Sequence, residues 1–332
     1  MRKQELLARL LPAARQPVSD QVEAFAPSNI ALCKYWGKRN AELNLPINSS
    51  LSVSLADLGS RTRLTCIDAA ADEVWLNNQP VAADTSFASK LIAYLDLFRI
   101  ASTPRLKVET WNTIPTAAGL ASSASGFAAL AKAVDQLLGL NATEAQLSAF
   151  ARLGSGSASR SIFSGFVAWE MGVREDGMDS IAHPLAARWP ALRIGLLTVA
   201  EAAKPVGSRA GMQRTTETAH LYQSWPLQAA IDIEKIRSAI DNHDFELLGH
   251  TAEQNALSMH ATMIASWPPL LYWQPASVAA MQQIWALREQ GLPLYFTMDA
   301  GPNIKLLFEV EHQAAVESAF PGVQIVTPFS TP

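Results

Sequence analysis

Several short segments place cations, hydroxyls and one carboxylate where they could bind and transform a small polyanion. In Ala26–Lys38, APSNIALCKYWGK, Lys34 and Lys38 stand four residues apart with Tyr35 between them, after an apolar, strand-like run. Two ammonium groups and a phenol suit a diphosphate; solvated surface lysines are the ordinary alternative. In Arg152–Arg160, RLGSGSASR, the hydroxyls of Ser155 and Ser157 precede Arg160, whose guanidinium can grip a carboxylate through paired hydrogen bonds. A Gly-Ser turn with a surface arginine reads the same way. Phe296–Asn303, FTMDAGPN, sets Asp299 at a strand end before a tight turn, at the mouth of a cleft or simply in a turn. Lys204–Met212 brings Ser208, Arg209 and Met212 to the start of a helix, where a phosphate or an ordinary cap fits.

The segment Pro115–Gly126, PTAAGLASSASG, lies between a strand and a helix. Gly119 permits unusual backbone angles, and the small residues around it, Ala118 and Ala121 among them, leave room for an anion facing free helix N–H groups. Ser122, Ser123 and Ser125 can donate hydroxyl bonds. The Gly-Lys-Ser/Thr of a Walker loop is absent, and a small-residue packing seam is the plain alternative. The six histidines show no metal spacing, and neither Cys33 nor Cys66 belongs to a CxxC or Cys/His group, so no metal-ligand set is assigned.

These groups need a scaffold, and the composition supplies one. The 332 residues are 49% hydrophobic and 17% charged, which suits a large core in one large or two medium domains and argues against disorder. The net charge of -4 without a basic block gives nucleic acid no footprint. The leading MRKQELLARLLPAARQ is broken by Glu5, Arg9 and Pro12; it reads as a short amphipathic helix with Leu6, Leu7, Leu10 and Leu11 on one side, not as a signal peptide. No apolar run is long enough to span a membrane, and two free thiols suit a reducing compartment, so a cytoplasmic protein is expected.

Ser50–Ile67 alternates in two halves around Asp57-Leu58-Gly59-Ser60, a hairpin pattern. Leu106–Thr113 is a strand. A helix from Ser123 to Leu138 ends at Gly139 and Asn141, and a second runs from a Thr143 cap to Leu153. Strands follow at Gly165–Met171 and Leu192–Val199. Helices are expected at Ala210–Tyr222, Gln228–Asn242, Phe245–Met259 and Pro275–Gln290, then strands at Leu294–Met298 and Ile304–Val310. The irregular mixture predicts an α+β fold in two lobes, divided as an extension at 1–22, a lobe at 23–195 and a lobe at 196–332.

Together, APSNIALCKYWGKRNAELNLPINSSLSVSL, PTAAGLASSASGFAALA, ARLGSGSASRSIFSGFVAWEMG and FTMDAGPN, with the weaker GMQRT, HATMIASWPP and DSIA, resemble the diphosphomevalonate decarboxylases of the GHMP kinase superfamily. The strings run from about residue 24 to 310. The resemblance implies a two-lobed GHMP kinase fold, with an N-terminal lobe like ribosomal protein S5 domain 2, a ferredoxin-like C-terminal lobe, and a homodimer. It implies ATP and Mg2+ as cofactors and the conversion of mevalonate 5-diphosphate to isopentenyl diphosphate, ADP, phosphate and carbon dioxide. Asp299 would orient or deprotonate the substrate hydroxyl, Arg160 would hold the carboxylate with Asn29 beside it, and Lys34 would bridge toward the transferred phosphate. Tyr35, Lys38, Ser155, Ser157, Ser208, Arg209 and Met212 would line the diphosphate end. Pro115, Ala118, Gly119, Leu120 and Ala121, with Ser122, Ser123 and Ser125, would hold ATP. The rival readings are a decarboxylase of a 5-monophosphate or 3,5-bisphosphate and a GHMP kinase without decarboxylation. Two features depart from the family pattern. The first twenty or so residues exceed its usual start, and Lys305 stands where an apolar residue is more usual, its place at the surface or in the site left open.

Overall fold

The computed structural model describes residues 1–113, 122–200 and 206–329, and its elements form an α+β fold around two main sheets. The spine is β1 (Gln21–Cys33) lying antiparallel to β4 (Ser50–Ile67). The second half of β4 pairs with β7 (Arg105–Asn112) and its first half with β8 (Phe166–Trp169). β5 (Glu73–Leu76) runs parallel to β7, and β6 (Gln79–Val81) and β9 (Ala182–Pro184) form the edges. A second, antiparallel sheet has the order β11 (Tyr295–Met298), β12 (Ile304–Glu309), β10 (Leu192–Leu197), β13 (Gln324–Val326). A small ribbon joins β2 (Lys38–Asn40) to β3 (Leu45–Pro46).

The expected hairpin within Ser50–Ile67 does not form. Both halves belong to the one strand β4, and both pair with β1. The turn-like residues instead make a bulge: Pro27 pairs with Gly59 and Asn29 with Ser54, so residues 55–58 oppose the single residue Ser28. Ala56 takes φ +50 there. Turn chemistry was present, but a partner strand running past both halves turned it into a bend.

Helix signals fared better because caps and apolar periodicity act locally. α1 (Lys3–Leu10) buries Leu6 and Leu7. α2 (Ser86–Leu95), capped by Thr85, was not expected. α3 (Ser122–Leu138) stops before Gly139 and Asn141, both at positive φ. α4 (Glu144–Gly154) opens on a Thr143–Gln146 capping box. α5 (Ser208–Thr218), α6 (Trp225–Asn242), α7 (Phe245–Ile264), α8 (Pro275–Glu289) and the short α9 (Gln313–Ala319) follow.

Two apolar clusters hold these layers, and β1 enters both. Ala24 and Ala26 pack with α1, α2, α3 and α4, whereas Ile30 and Leu32 pack with α6, α7 and the second sheet. Sheet membership changes between β9 and β10, hence within residues 185–191, a few residues before the division drawn at 195. Because β1 crosses from one core to the other, its C-terminal end is delivered against the second sheet.

Close approach of α7 to β11 fixes that junction. A Cβ at Gly249 would lie 2.2 Å from the Tyr295 ring. Gly249→Ala should therefore destabilise the protein by about 1–3 kcal/mol, although alanine is the better helix former. The denaturant midpoint measures this; an unchanged or raised midpoint would show that the contact has slack.

Candidate active site

Lys34 follows β1 directly, and Asp299 follows β11. The Lys34 ammonium turns back to donate to the Ala31 carbonyl at 2.8 Å and to Asp299 Oδ1 at 3.0 Å. Thr297 on β11 donates to the same Ala31 carbonyl at 3.3 Å, so the two strand ends share an acceptor. Lys305 on β12, whose place was left open above, is buried in the site: its ammonium lies 3.8 Å from Asp299 Oδ2 and 3.3 Å from the Asn303 carbonyl. Both lysine side chains are 2% exposed and the Asp299 side chain 33%. Burial draws both lysine pKa values down and Asp299 pushes them back up. At an effective dielectric near 20, opposite charges 4 Å apart attract by roughly 4 kcal/mol, enough to offset much of the burial cost of an ammonium.

The Lys34 backbone is pinned as firmly as its side chain. Its N–H donates to Asn255 Oδ1 at 2.8 Å, Asn255 donates to Asp232 Oδ2 at 2.7 Å, and Asn48 donates to the Lys34 carbonyl at 2.9 Å. Asp232 and Asn255 are fully buried, on α6 and α7. Sequence reading missed all three residues; a carboxylate and an amide on otherwise apolar helix faces were the available signal. His260, which sequence reading left without a role, holds the other partner. Its Nε2 lies 3.0 Å from the Asp299 carbonyl, which can only accept, so Nε2 carries the proton. The ring stacks on Trp273 at 5.3 Å.

Arg160 sits in a 3-10 turn over 156–162 that follows α4. Its Nε and Nη2 both donate to Asn29 Oδ1 at 3.3 Å, its Nη1 donates to Ser50, and its guanidinium lies over Trp169. Asn29 is held in turn by donating to Ser161 at 2.7 Å. Asn29 and Arg160, both expected near the substrate carboxylate, are in direct contact. Burial lowers the Arg160 pKa to about 10, still charged at neutral pH, and the largest opposing influence is Asp299. Among the described residues no carboxylate lies within ion-pair distance of Arg160.

Tyr35 lies between this end and a second group of cations. Its ring packs edge-on to Trp169 at 4.8 Å and against Gly156, and its hydroxyl is buried with no partner among the described residues. Arg160 and Arg209 are its two strongest favourable electrostatic neighbours. Lys38 donates to Asn44 at 2.6 Å, and burial together with Arg209 and Lys3 lowers its pKa to about 8. Ser155 and Ser157 are half-buried at the start of the 3-10 turn, Ser208 is half-buried at the start of α5, and Arg209 is exposed. Met212 packs inward, in the larger apolar cluster.

Of the residues read as an ATP loop, Pro115, Ala118, Gly119, Leu120 and Ala121 lie outside the described residues. Ser122 begins α3 and Ser123 is exposed beside it. Ser125 points inward instead: it is fully buried, within hydrogen-bond distance of Ser28 and Ser60 at 3.1 and 2.8 Å, and ties α3 to β1 and β4. Ser123 and Gly126 rim a cavity of about 400 Å³ walled by Leu76, Phe87, Val108 and Phe127. This pocket was not legible in the sequence, because α2 and β5, which build one wall, were not. Among the described residues no cluster of three or more His, Cys, Asp or Glu gathers as a metal cage, and no helix is long and apolar enough to cross a membrane.

Residues 26–182 match the family "Diphosphomevalonate decarboxylase-like N-terminal domain", and residues 194–327 match "Mevalonate 5-diphosphate decarboxylase C-terminal domain". The chain is 41% identical over 306 residues to diphosphomevalonate decarboxylase mvd1 of Aspergillus fumigatus, covering 85% of this chain and 75% of that one. Among solved structures, mevalonate diphosphate decarboxylase from Staphylococcus aureus is 38% identical with a TM-score of 0.87, covering 94% and 96% of the two chains. A complex of MDDEF with MVAPP, AMPPCP and magnesium is 40% identical with a TM-score of 0.86, covering 92% and 96%.

The environment of His260 makes a prediction of its own. Burial lowers its pKa to about 3, against an ordinary value of 6.5. Between these values the unfolded chain binds a proton that the native protein does not, so stability falls as pH drops from 6.5 toward 3, by up to about 1.4 kcal/mol per pH unit from this group. His260→Gln should flatten that part of the stability profile. The native ring resonances should not titrate between pH 5 and 8; titration near 6.5 would refute the buried, neutral assignment.

Proposed function

The chain belongs to the diphosphomevalonate decarboxylase family, and on that premise we propose how its residues convert mevalonate 5-diphosphate and ATP to isopentenyl diphosphate, ADP, phosphate and carbon dioxide. The enzyme is an ATP-dependent decarboxylase of isoprenoid biosynthesis. One observation carries the assignment of roles: a partly exposed Asp299 carboxylate is held by two buried lysines and sits within electrostatic reach of an Arg160 that has no acidic partner among the described residues.

The substrate carboxylate pairs with Arg160, and the diphosphate lies against Tyr35, Lys38, Ser155, Ser157, Ser208 and Arg209. Asp299 orients the tertiary hydroxyl and accepts its proton as that oxygen attacks the γ-phosphorus of ATP, with ADP leaving. Lys34 lies against the transferred phosphoryl group and offsets its charge. The carbon–oxygen bond then breaks, its electron pair leaving with phosphate, and positive charge grows on the tertiary carbon beside Asp299. Cleavage of the bond to the carboxylate carbon supplies two electrons to that centre, closing the alkene and releasing carbon dioxide. A kinase needs only the first half. Arg160, which holds the group that departs, belongs to the second half.

The cavity beside α3 suits a flat, mostly apolar base, and Ser123 and the start of α3 suit its phosphates. Magnesium fits as an ion carried on the phosphates, because serine hydroxyls and the open side of Asp299 offer oxygen donors of the right class. A solved relative complexed with AMPPCP and magnesium supports the use of ATP and magnesium. The enzyme acts in the cytoplasm as a homodimer. Two free cysteines suit a reducing compartment, and exposed Leu227 and Ile231, one turn apart on α6, supply an apolar face for a partner copy.

Incubation with MgATP should yield carbon dioxide, ADP and phosphate in equal amounts from mevalonate 5-diphosphate, and little from the 5-monophosphate. ADP without carbon dioxide would establish a kinase instead. Asp299→Asn should lower kcat by about 10²–10⁴ with KM nearly unchanged; near-normal turnover would remove Asp299 from the mechanism. Arg160→Gln should lower kcat/KM by at least about 100-fold, corresponding to loss of a buried charge pair, and unchanged kinetics would reject the carboxylate contact.

A further inference from the structure

β1 leaves its ladder just before the active site: its register to β4 shifts between Ala31 and Cys33, and the strand ends at Cys33. Lys34 and Trp36 lie past that end, and side chains from helical elements take up their backbone groups instead. The Trp36 carbonyl accepts from the Tyr222 hydroxyl and the Trp225 indole, both at 2.9 Å. The Lys34 N–H donates to Asn255 Oδ1 at 2.8 Å, and from there the bonds continue inward. Asn255 Nδ2 donates to Asp232 Oδ2 at 2.7 Å, and Gln228 Nε2 donates to Asp232 Oδ1 at 2.7 Å. This chain of bonds has one workable direction. The Lys34 N–H can only donate. Were the Asn255 amide turned over, its NH2 would face that N–H and its oxygen would face the Asp232 carboxylate, losing both bonds. Asp232 thereby decides which end of Asn255 meets Lys34. Stability does not explain the carboxylate. Asp232 is fully buried on a stretch of α6 whose buried neighbours are Ala229, Ile233 and Ile236, and among the described residues no lysine or arginine lies within ion-pair distance of it. A buried carboxylate without a cation is costly, and an apolar residue of the same size suits such a face better.

We propose that Asp232 is a positioning residue for Lys34, acting through Asn255: it fixes the peptide from which the Lys34 side chain turns toward Asp299, and so sets where the ammonium stands during phosphoryl transfer. The inference rests on the reading of Lys34 as the cation beside the transferred phosphoryl group. With no ligand bound, the ammonium is held by the Ala31 carbonyl and Asp299. As it turns toward a phosphoryl group those side-chain contacts change, whereas the backbone bonds to Asn255 and Asn48 remain. The backbone bonds therefore carry the geometry through the reaction, and a displacement of about 1 Å at a reacting group can cost about 100-fold in rate. Tyr35, the next residue, is seated separately against Trp169 and Gly156. Loss of the Asp232–Asn255 bond thus falls on turnover and spares the binding of the diphosphate end.

The test uses the full-length enzyme with MgATP and mevalonate 5-diphosphate, with kcat taken per folded protein and the denaturant midpoint measured alongside. Asn255→Leu and Asp232→Leu, each close to the parent side chain in size, should lower kcat by about ten- to 100-fold and leave KM for the substrate within about threefold. Asp232→Asn keeps a carbonyl oxygen for Asn255 and should hold kcat within about threefold of the parent. The double variant Asp232→Leu/Asn255→Leu should lose no more turnover than Asn255→Leu alone, because Asp232 acts only through Asn255. Its denaturant midpoint should equal or exceed that of either single variant, since neither half of the polar pair is left alone. A purely structural pair gives the reverse pattern, lowered midpoints with parental kcat, and that result overturns the inference. So does a double variant whose loss is the product of the two single losses. Should the leucine variants fail to fold, Asp232→Asn decides: parental turnover upholds the inference, and a tenfold loss of kcat in the folded protein overturns it. If Lys34→Met turns over like the parent, the underlying reading of Lys34 fails instead.

Discussion

The interaction on which the site depends is the ion pair between Lys34 and Asp299, residues separated by 265 positions in the chain. It sits where β1, having crossed from one apolar core to the other, meets the end of β11. A buried ammonium without its carboxylate is costly, typically by several kcal/mol, and so is the reverse. The pair therefore does two things at once. It favours the charged form of Lys34 against the pull of burial, and it makes any drift between the two strand ends expensive. The surrounding bonds act in the same direction: Thr297 and Lys34 share the Ala31 carbonyl, Asn255 and Asn48 hold the Lys34 peptide, and His260 holds the Asp299 peptide.

Asp299 is nevertheless outnumbered. Lys34, Lys305 and Arg160 all face it, so the pocket carries more positive charge than its own carboxylate can balance. A second group of cations stands near Tyr35, whose hydroxyl is buried and unpartnered among the described residues. Both features favour an occupant with anionic groups at two ends. A carboxylate toward Arg160 and a diphosphate toward Lys38 and Arg209 meet that requirement, and a substrate with only one such group leaves half of it unmet. On the proposed mechanism the same electrostatics would also serve the reaction, since phosphoryl transfer and phosphate departure would both develop negative charge close to Lys34.

How much of this could be read beforehand varied with the range of the interactions involved. The Thr143 cap and the stop at Gly139 are local, and both helices appeared with nearly the expected ends. Residues 57–60 had the composition of a turn, yet β1 runs past them on both sides and makes them a bulge, a result only a long-range partner could decide. Asn29 and Arg160 were proposed as neighbours from the family resemblance, and they touch. Lys305 could not be placed because its meaning depends on strand register: β12 pairs Lys305 with Thr297 on β11, and that pairing brings its ammonium under Asp299. Asp232 and Asn255 were passed over for a related reason. A polar residue on an apolar helix face declares that it has a partner, but not which one.

The placement of Ser125 separates it from its neighbours in the motif. Three serines near the start of a helix look interchangeable in sequence. At 100° per residue, however, positions 123 and 125 differ by about 200° around the axis, so they cannot both face the same ligand. The structure separates them accordingly: Ser123 stays exposed at the rim of the cavity, while Ser125 reaches Ser28 and Ser60 beneath the helix. That inner contact matters for the outer one. Ser28 is the residue of β1 that faces the β4 bulge, and Ser60 lies just beyond that bulge on β4. The irregular register of the two strands thus creates the seat that fixes the start of α3. A feature that first reads as a failed hairpin is part of what seats the start of α3 on the sheet.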